Sequence, residues 1–249
     1  MMASRDEIVA FANNYLRVDE FDDYAPTGLQ VVGTTTISKL ACGVSASREL
    51  FKRARALEAE LVVVHHGLFW NSDPRVIDEQ MRSRLEELFA GGVNLLAYHL
   101  CLDAHPEIGN NALLADALGV GAERQPFAQI GLGGTLAEGC TTDALVDRVG
   151  RLLGREPLVF ANGPSSIKRI AICTGSAANT IAHAAAEGYD CFLTGEPREP
   201  TMMAARELGI TFIAAGHYAT ETFGVRALTE RLSTEFDLPW EFIELDNPV

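Results

Sequence analysis

The run Leu61-Val62-Val63-Val64-His65-His66-Gly67 constrains this chain more than any other stretch. Four aliphatic residues, three of them β-branched, pass straight into two imidazoles and a glycine. A short continuous apolar run of this kind reads as a strand buried on both faces, as in a parallel sheet. Open α/β sheets bind ligands outside the carboxyl ends of their strands, which is where the two histidines fall. Neighbouring side chains of a strand point to opposite faces, so an isolated His pair defaults to one core ring and one solvated ring. For both rings to serve one site the backbone must turn, and Gly67 permits the turn.

Composition narrows the function classes. The 249 residues suffice for one large domain or two modest ones, and 47% hydrophobic with 22% charged residues is ordinary for a globule. Residues 1–14 lack an apolar core of signal-peptide length, and no uninterrupted apolar stretch is long enough to span a bilayer, so a cytoplasmic chain is expected. Cys42, Cys101, Cys140, Cys173 and Cys191 are odd in number and show no C-x-x-C spacing. They read as reduced, buried thiols, not as a disulfide framework or a thiolate zinc site. A formal charge of −14 argues against nucleic acid, although a basic lining inside an acidic shell stays open, and Lys52, Arg53 and Arg55 read as a solvated helix face. Histidines and carboxylates in an acidic protein suit cations better.

Taken in order, Ser4-Arg5-Asp6-Glu7 has the form of a capping box ahead of Ile8, Val9, Phe11, Ala12 and Leu16 at helical spacing, which predicts the first helix. Residues 19–33 form an irregular, partly acidic connection. Residues 39–44 read as a buried strand, and a helix follows from Ser47 to about Glu58. Asp73-Pro74 offers an N-cap and first-turn proline for a helix running to about Ala90 and stopped by Gly91-Gly92. Residues 93–97 form another strand and residues 110–118 a helix ended by Gly119; Thr141 or Thr142 caps one through Leu153.

The second half repeats the first. Residues 37–67 and 167–197 align without a gap at an offset of 130, which sets Leu61-Val62-Val63 against Cys191-Phe192-Leu193 and His66 against Glu196. Residues 92–97 match 209–214, and both copies then reach a histidine followed four residues later by a carboxylate: His99…Asp103 and His217…Glu221. The expected fold is α/β, built from two structurally repeated halves with mostly parallel sheets, residues 1–125 and 126–249, the boundary being approximate.

Residues four apart on a helix share a face, so His217 and Glu221 project together. With His65, His66 and Asp103 they give three imidazoles and two carboxylates at strand ends. That set is too large for one four-coordinate zinc and suits two adjacent divalent ions with a bridging carboxylate: zinc, manganese, iron or cobalt. His183, in an alanine-rich helix, and His105, before a proline, are left out.

These residues resemble a known family, the GTP cyclohydrolase 1 type 2 homologues (YbgI-like proteins). The resemblance is carried by Gly28-Leu29-Gln30-Val31, Val64-His65-His66-Gly67-Leu68-Phe69-Trp70, Tyr98-His99-Leu100-Cys101-Leu102-Asp103, Gly109-Asn110-Asn111, Thr194-Gly195-Glu196 and Gly216-His217-Tyr218-Ala219-Thr220-Glu221. It spans nearly the whole chain; Thr27 departs from it, standing where asparagine is expected. It implies intertwined repeats, a dinuclear metal site of His65, His66, Asp103, His217 and Glu221, and a ring-shaped homohexamer.

Two functional readings follow. One is a metal-dependent hydrolase of a small molecule, with His99 and Glu196 as orienting or proton-transfer residues, or as hydrogen-bonded structural groups. The family name suggests purine ring opening, but the sequence has no Gly-rich phosphate cradle. The other is a non-enzymatic metal-binding or regulatory ring. Ligand residues alone do not separate them.

Overall fold

The apolar runs become the central strands of two sheets. The computed structural model describes residues 2–121 and 123–249. The chain forms two units, one of Met1–Leu102 with Gly224–Asp246, the other of Asp103–Phe223 with Asn247–Val249. The first opens with β1 (Ala3–Ser4), α1 (Arg5–Tyr15), β2 (Gly28–Val31), β3 (Thr36–Ile37) and β4 (Leu40–Ser45). It continues through α2 (Arg48–Ala56), β5 (Leu61–His66), α3 (Glu79–Gly91) and β6 (Asn94–Ala97), and α4 (Leu100–Asp103) leads out of it. The second holds α5 (Asn110–Ala117), β7 (Gln125–Phe127), β8 (Gly131–Cys140), α6 (Thr142–Leu153), β9 (Leu158–Ala161) and β10 (Ile167–Cys173). There follow α7 (Ile181–Ala186), β11 (Cys191–Thr194), α8 (Thr201–Leu208), β12 (Thr211–Ala214) and α9 (His217–Thr220). The chain returns through α10 (Thr222–Phe236) to β13 (Trp240–Phe242).

The first unit's sheet has the order β13-β4-β5-β6-β2, parallel except for β2. The second has the order β7-β8-β10-β11-β12-β9, in which only β10-β11-β12 is parallel. The fold is α/β as expected and both sheets are mixed: the first is mostly parallel, as expected, whereas the second is mostly antiparallel. Of the antiparallel strands β2, β7 and β8 lack a long apolar run, whereas β9 is apolar throughout. No element is expected at β8, where Gly131, Gly133, Gly134 and Gly139 interrupt any apolar run, yet a Cβ on Gly133 would overlap the Tyr189 ring and one on Gly131 would strike the Ile172 carbonyl. Close approach, not turning, is what those glycines allow.

The repeated register is physical. β4 and β5 pair Leu40 with Leu61, Ala41 with Val62, Cys42 with Val63 and Gly43 with Val64. Adding 130 to each gives the pairs of β10 and β11: Ile170 with Cys191, Ala171 with Phe192, Ile172 with Leu193 and Cys173 with Thr194. A carboxylate clamp recurs too. Glu60 accepts the amides of Ser38 (3.0 Å) and Lys39 (2.9 Å), and Asp190 those of Lys168 and Arg169 (both 2.8 Å).

Two helix starts differ from expectation. Ser4 is the N-cap of α1, but its side chain makes no cap bond; the Arg5 amide instead donates to the Thr35 carbonyl (3.0 Å). Asp73-Pro74 opens no helix. Residues there form turns, and α3 begins only at Glu79, where the Asp78 side chain accepts the Met81 amide (2.8 Å). Ser47 and Thr141 cap α2 and α6 through the amides of Leu50 and Ala144, each at 3.2 Å.

Phe51, Val62, Val64 and Leu95 lie at the centre of the first unit's core. In the second, Ile170, Leu193 and Ile213 pack on one face of the sheet, Phe192 and Phe212 on the other. All five cysteines are free thiols, and among the described residues no helix is long and apolar enough to cross a membrane.

Candidate metal centre

In the first unit, β5 delivers His65 and His66 at its carboxyl end and the chain after β6 delivers His99. The three offer ring nitrogens within 4.8 Å of one another, although His65 and His66 are sequence neighbours. Their ring centroids are 4.6 Å apart, so both turn to the same side. Gly67 helps differently from expectation: a Cβ there would run into the Gln30 amide, whose Oε1 accepts the Leu68 amide (2.7 Å).

Hydrogen bonds fix these rings. His65 Nδ1 donates to the Tyr98 carbonyl (2.9 Å), which can only accept, so the ring's lone pair lies on Nε2. His99 Nδ1 lies 3.0 Å from the Asp23 carboxylate, which also accepts the Leu100 amide (2.9 Å), and the same logic applies. Burial alone would raise Asp23, but the hydrogen bonds from His99 and Leu100 hold its carboxyl below the usual value, so it is ionised at neutral pH. His66 Nδ1 is 2.9 Å from Ser45 Oγ. Partners of this kind orient metal-binding histidines.

The second unit assembles a carboxylate-rich set. His217 opens α9 and Glu221 closes it; Nε2 of the imidazole lies 3.1 Å from the buried Glu221 carboxylate, while Nδ1 lies 3.2 Å from Glu196. Burial would lower His217, but the hydrogen bonds and charges of Glu221 and Glu196 outweigh it and raise the ring to about 9. The helix that His217 opens breaks at Glu221, whose backbone leaves helical geometry (φ −111°, ψ 10°) before α10 begins. Gly175, at φ +70°, lies so near that a Cβ would overlap the Glu221 carboxylate. Asp103, also buried, accepts from Asn110 Nδ2 (2.8 Å) and from Thr174 Oγ1 (3.3 Å). Asp103 and Glu221 both bear on Cys173: burial first, then these two charges, push its thiol up to about 12. Protonated, it is no competing ligand.

A family model described as Duf34/NIF3 (NGG1p interacting factor 3) matches residues 3–248. The chain belongs to the Duf34/NIF3 family. It is 43% identical over 247 residues to a GTP cyclohydrolase 1 type 2 homolog of Pasteurella multocida, covering 97% of this chain and 98% of that protein. The solved structure of protein ybgI matches with TM-score 0.95 and 42% identity over 99% of this chain and 100% of that one. TTHA1606 from Thermus thermophilus follows at TM-score 0.92 and 38% identity, again over 99% and 100%.

Within this Duf34/NIF3 chain the remaining histidines have other work. His183 pairs with Glu187 on an exposed helix face (2.7 Å), and His105 Nδ1 accepts the amides of Glu107 (3.3 Å) and Ile108 (3.2 Å). Sequence reasoning missed Asp23, Ser45, Thr174 and the bonding of Asn110 and Asn111. Asn111 is fully buried; its amide donates to the carbonyls of Asp103 (3.3 Å) and Ile130 (3.0 Å) and accepts from the Thr174 amide (2.9 Å). Asn111→Ala leaves three backbone groups without this partner, and the expected loss is about 2–4 kcal/mol of unfolding free energy. Denaturant titration checks it; a loss below about 1 kcal/mol would show the bonds are readily replaced.

Proposed function

We propose that His65, His66, Asp103, His217 and Glu221 hold one dinuclear divalent-metal centre, and that the centre hydrolyses a small molecule. The observation that carries the reading is the bonding of the two strand-end histidines: Tyr98 and Ser45 engage Nδ1 of His65 and His66, an arrangement that prepares Nε2 for ligation. The donor chemistry fits the group. Imidazoles and carboxylates without thiolate suit zinc, manganese, iron or cobalt. When bound, two such ions supply Lewis acidity toward a water and toward the bond it attacks. Around them Asp23 holds His99 so that its Nε2 can accept a proton, and Glu196 lies on His217 Nδ1 to steady that ring.

The relatives' name comes from ring-opening chemistry on a purine nucleotide, so cyclic amides and nucleotides belong in the test. Metal-saturated protein is to be assayed against these together with esters and phosphodiesters. Turnover abolished by Glu221→Gln supports the hydrolase. Silence across the panel with both ions bound overturns it in favour of a metal-binding or regulatory ring.

The assembly in this reading is a homohexamer. Light scattering is expected to give six times the chain mass of 26.9 kDa, and a stable monomer would remove the proposal.

A further inference from the structure

The first unit contains a cavity of about 420 Å³, lined on its apolar side by Pro26, Leu68, Phe69, Trp70 and Met81. Asn71, Asp73 and Arg75 add a few polar groups. Its volume lies in the range of small-molecule pockets, roughly 300–1,000 Å³, and mostly apolar walls with sparse polar groups are their usual character. None of the residues lining it has been given a part in ligating ions.

Trp70 ties this cavity to the histidines. Its ring stands edge-on to His99, with centroids 5.2 Å apart at 84°, and tilted to His66 at 5.8 Å. Tyr24 stacks against the same indole at 6.0 Å and 28°, while meeting His99 edge-on at 5.0 Å. The cavity wall and the histidine cluster therefore share one side chain. Phe69, in the cavity wall, is 38% exposed, and Tyr24, which stacks on Trp70 from outside that wall, 55%. An apolar chain or a lipid tail would use such a wall only for its area. Exposed aromatic faces also discriminate by shape, because ring quadrupoles favour offset-stacked and edge-to-face partners over aliphatic ones.

We propose that this cavity binds the planar heteroaromatic ring of the substrate, with Trp70 as the specificity-determining wall that holds the ring one side chain away from His66 and His99. The proposal deepens the hydrolase reading and rests on it for the word substrate; ring binding as such does not. Tyr24, outside the cavity lining, steadies the Trp70 wall by stacking on it. The polar groups of Asn71, Asp73 and Arg75 meet its heteroatoms.

The test uses the full chain stripped of metal by chelation, so that binding is read without turnover. Hypoxanthine and nicotinamide serve as planar probes and cyclohexanol as the aliphatic comparator, followed by saturation-transfer NMR and equilibrium dialysis. The planar probes are expected to bind more tightly than cyclohexanol. Trp70→Leu, which keeps an apolar wall, should weaken them about tenfold and leave cyclohexanol unchanged. Tyr24→Leu, at an exposed position, should weaken them less and guards against a folding defect in the first variant. Equal binding of planar and aliphatic probes overturns the proposal, as does undiminished planar binding in both variants. Loss of probe binding at protein concentrations where the particle mass rises overturns it in favour of a second copy covering the cleft. An intact ring preference beside a silent hydrolysis panel would remove the hydrolase reading and leave the ring site standing.

Discussion

Replacing Glu221 by alanine is expected to leave the protein retaining neither ion after dialysis, with affinity reduced by about 100-fold or more at both positions. The second unit is built around this carboxylate. It is buried, it sits where the helical backbone breaks between α9 and α10, and it lies 3.1 Å from His217 Nε2. Gly175 yields the space its oxygen occupies. Burying a carboxylate is costly unless it is paired, so a chain that makes room for one beside an imidazole is suited to a cation. As the bridging ligand Glu221 would serve both ions, and Asp103 only one. Asp103→Ala is accordingly expected to retain about one ion per chain, which makes the pair of variants diagnostic. Elemental analysis of dialysed protein, with circular dichroism to confirm folding and Glu221→Gln as the near-isosteric control, reads both numbers. Two ions retained by Glu221→Ala would sink the assignment.

What could be read from the sequence was set by local pattern. β4, β5 and β6, with β10, β11 and β12, announce themselves because strands buried on both faces must be continuously apolar. The offset of 130 was legible for the same reason, and it survives as identical strand pairing. Chemistry was legible where it falls at strand ends: His65, His66 and His99 do come together, as do His217, Glu221 and Glu196. What stayed hidden depends on partners distant in the chain. Asp23 lies in an acidic connection whose importance comes from His99, 76 residues later. β8 has no apolar run to announce it, and the use of its glycines shows only in the space they leave for Tyr189 and Ile172. Ser4 carries a capping pattern, but the Thr35 carbonyl satisfies the first helical amide instead. Asp73-Pro74 lost to Asp78 as the cap, although both have the local form of a helix start.

The second large effect concerns protons. From an ordinary histidine, metal affinity would be expected to fall only below about pH 6.5. In the metal-free protein His217 titrates near 9, because Glu221 and Glu196 favour its charged form more than burial opposes it. Ligation through this ring must therefore displace a proton throughout the neutral range. Apparent affinity is expected to rise about tenfold per pH unit up to roughly pH 9, and then to level. The stability of the metal-free chain runs the other way. A histidine whose folded pKa exceeds its unfolded value contributes stability that is fully present below about 6.5 and is lost as pH rises through 9. At about 1.4 kcal/mol per unit that contribution amounts to at most roughly 3.5 kcal/mol, less what solvent screening removes at a ring still 26% exposed. Metal-free protein should thus melt at progressively lower temperature between pH 7 and 10, while metal-loaded protein, with His217 already deprotonated, should not show this fall. Calorimetric titration in buffers of different ionisation enthalpy counts the protons released. The expected result at pH 7.5 is close to one from His217, and a release that fades above pH 6.5 would show that ligation displaces no proton from a raised His217.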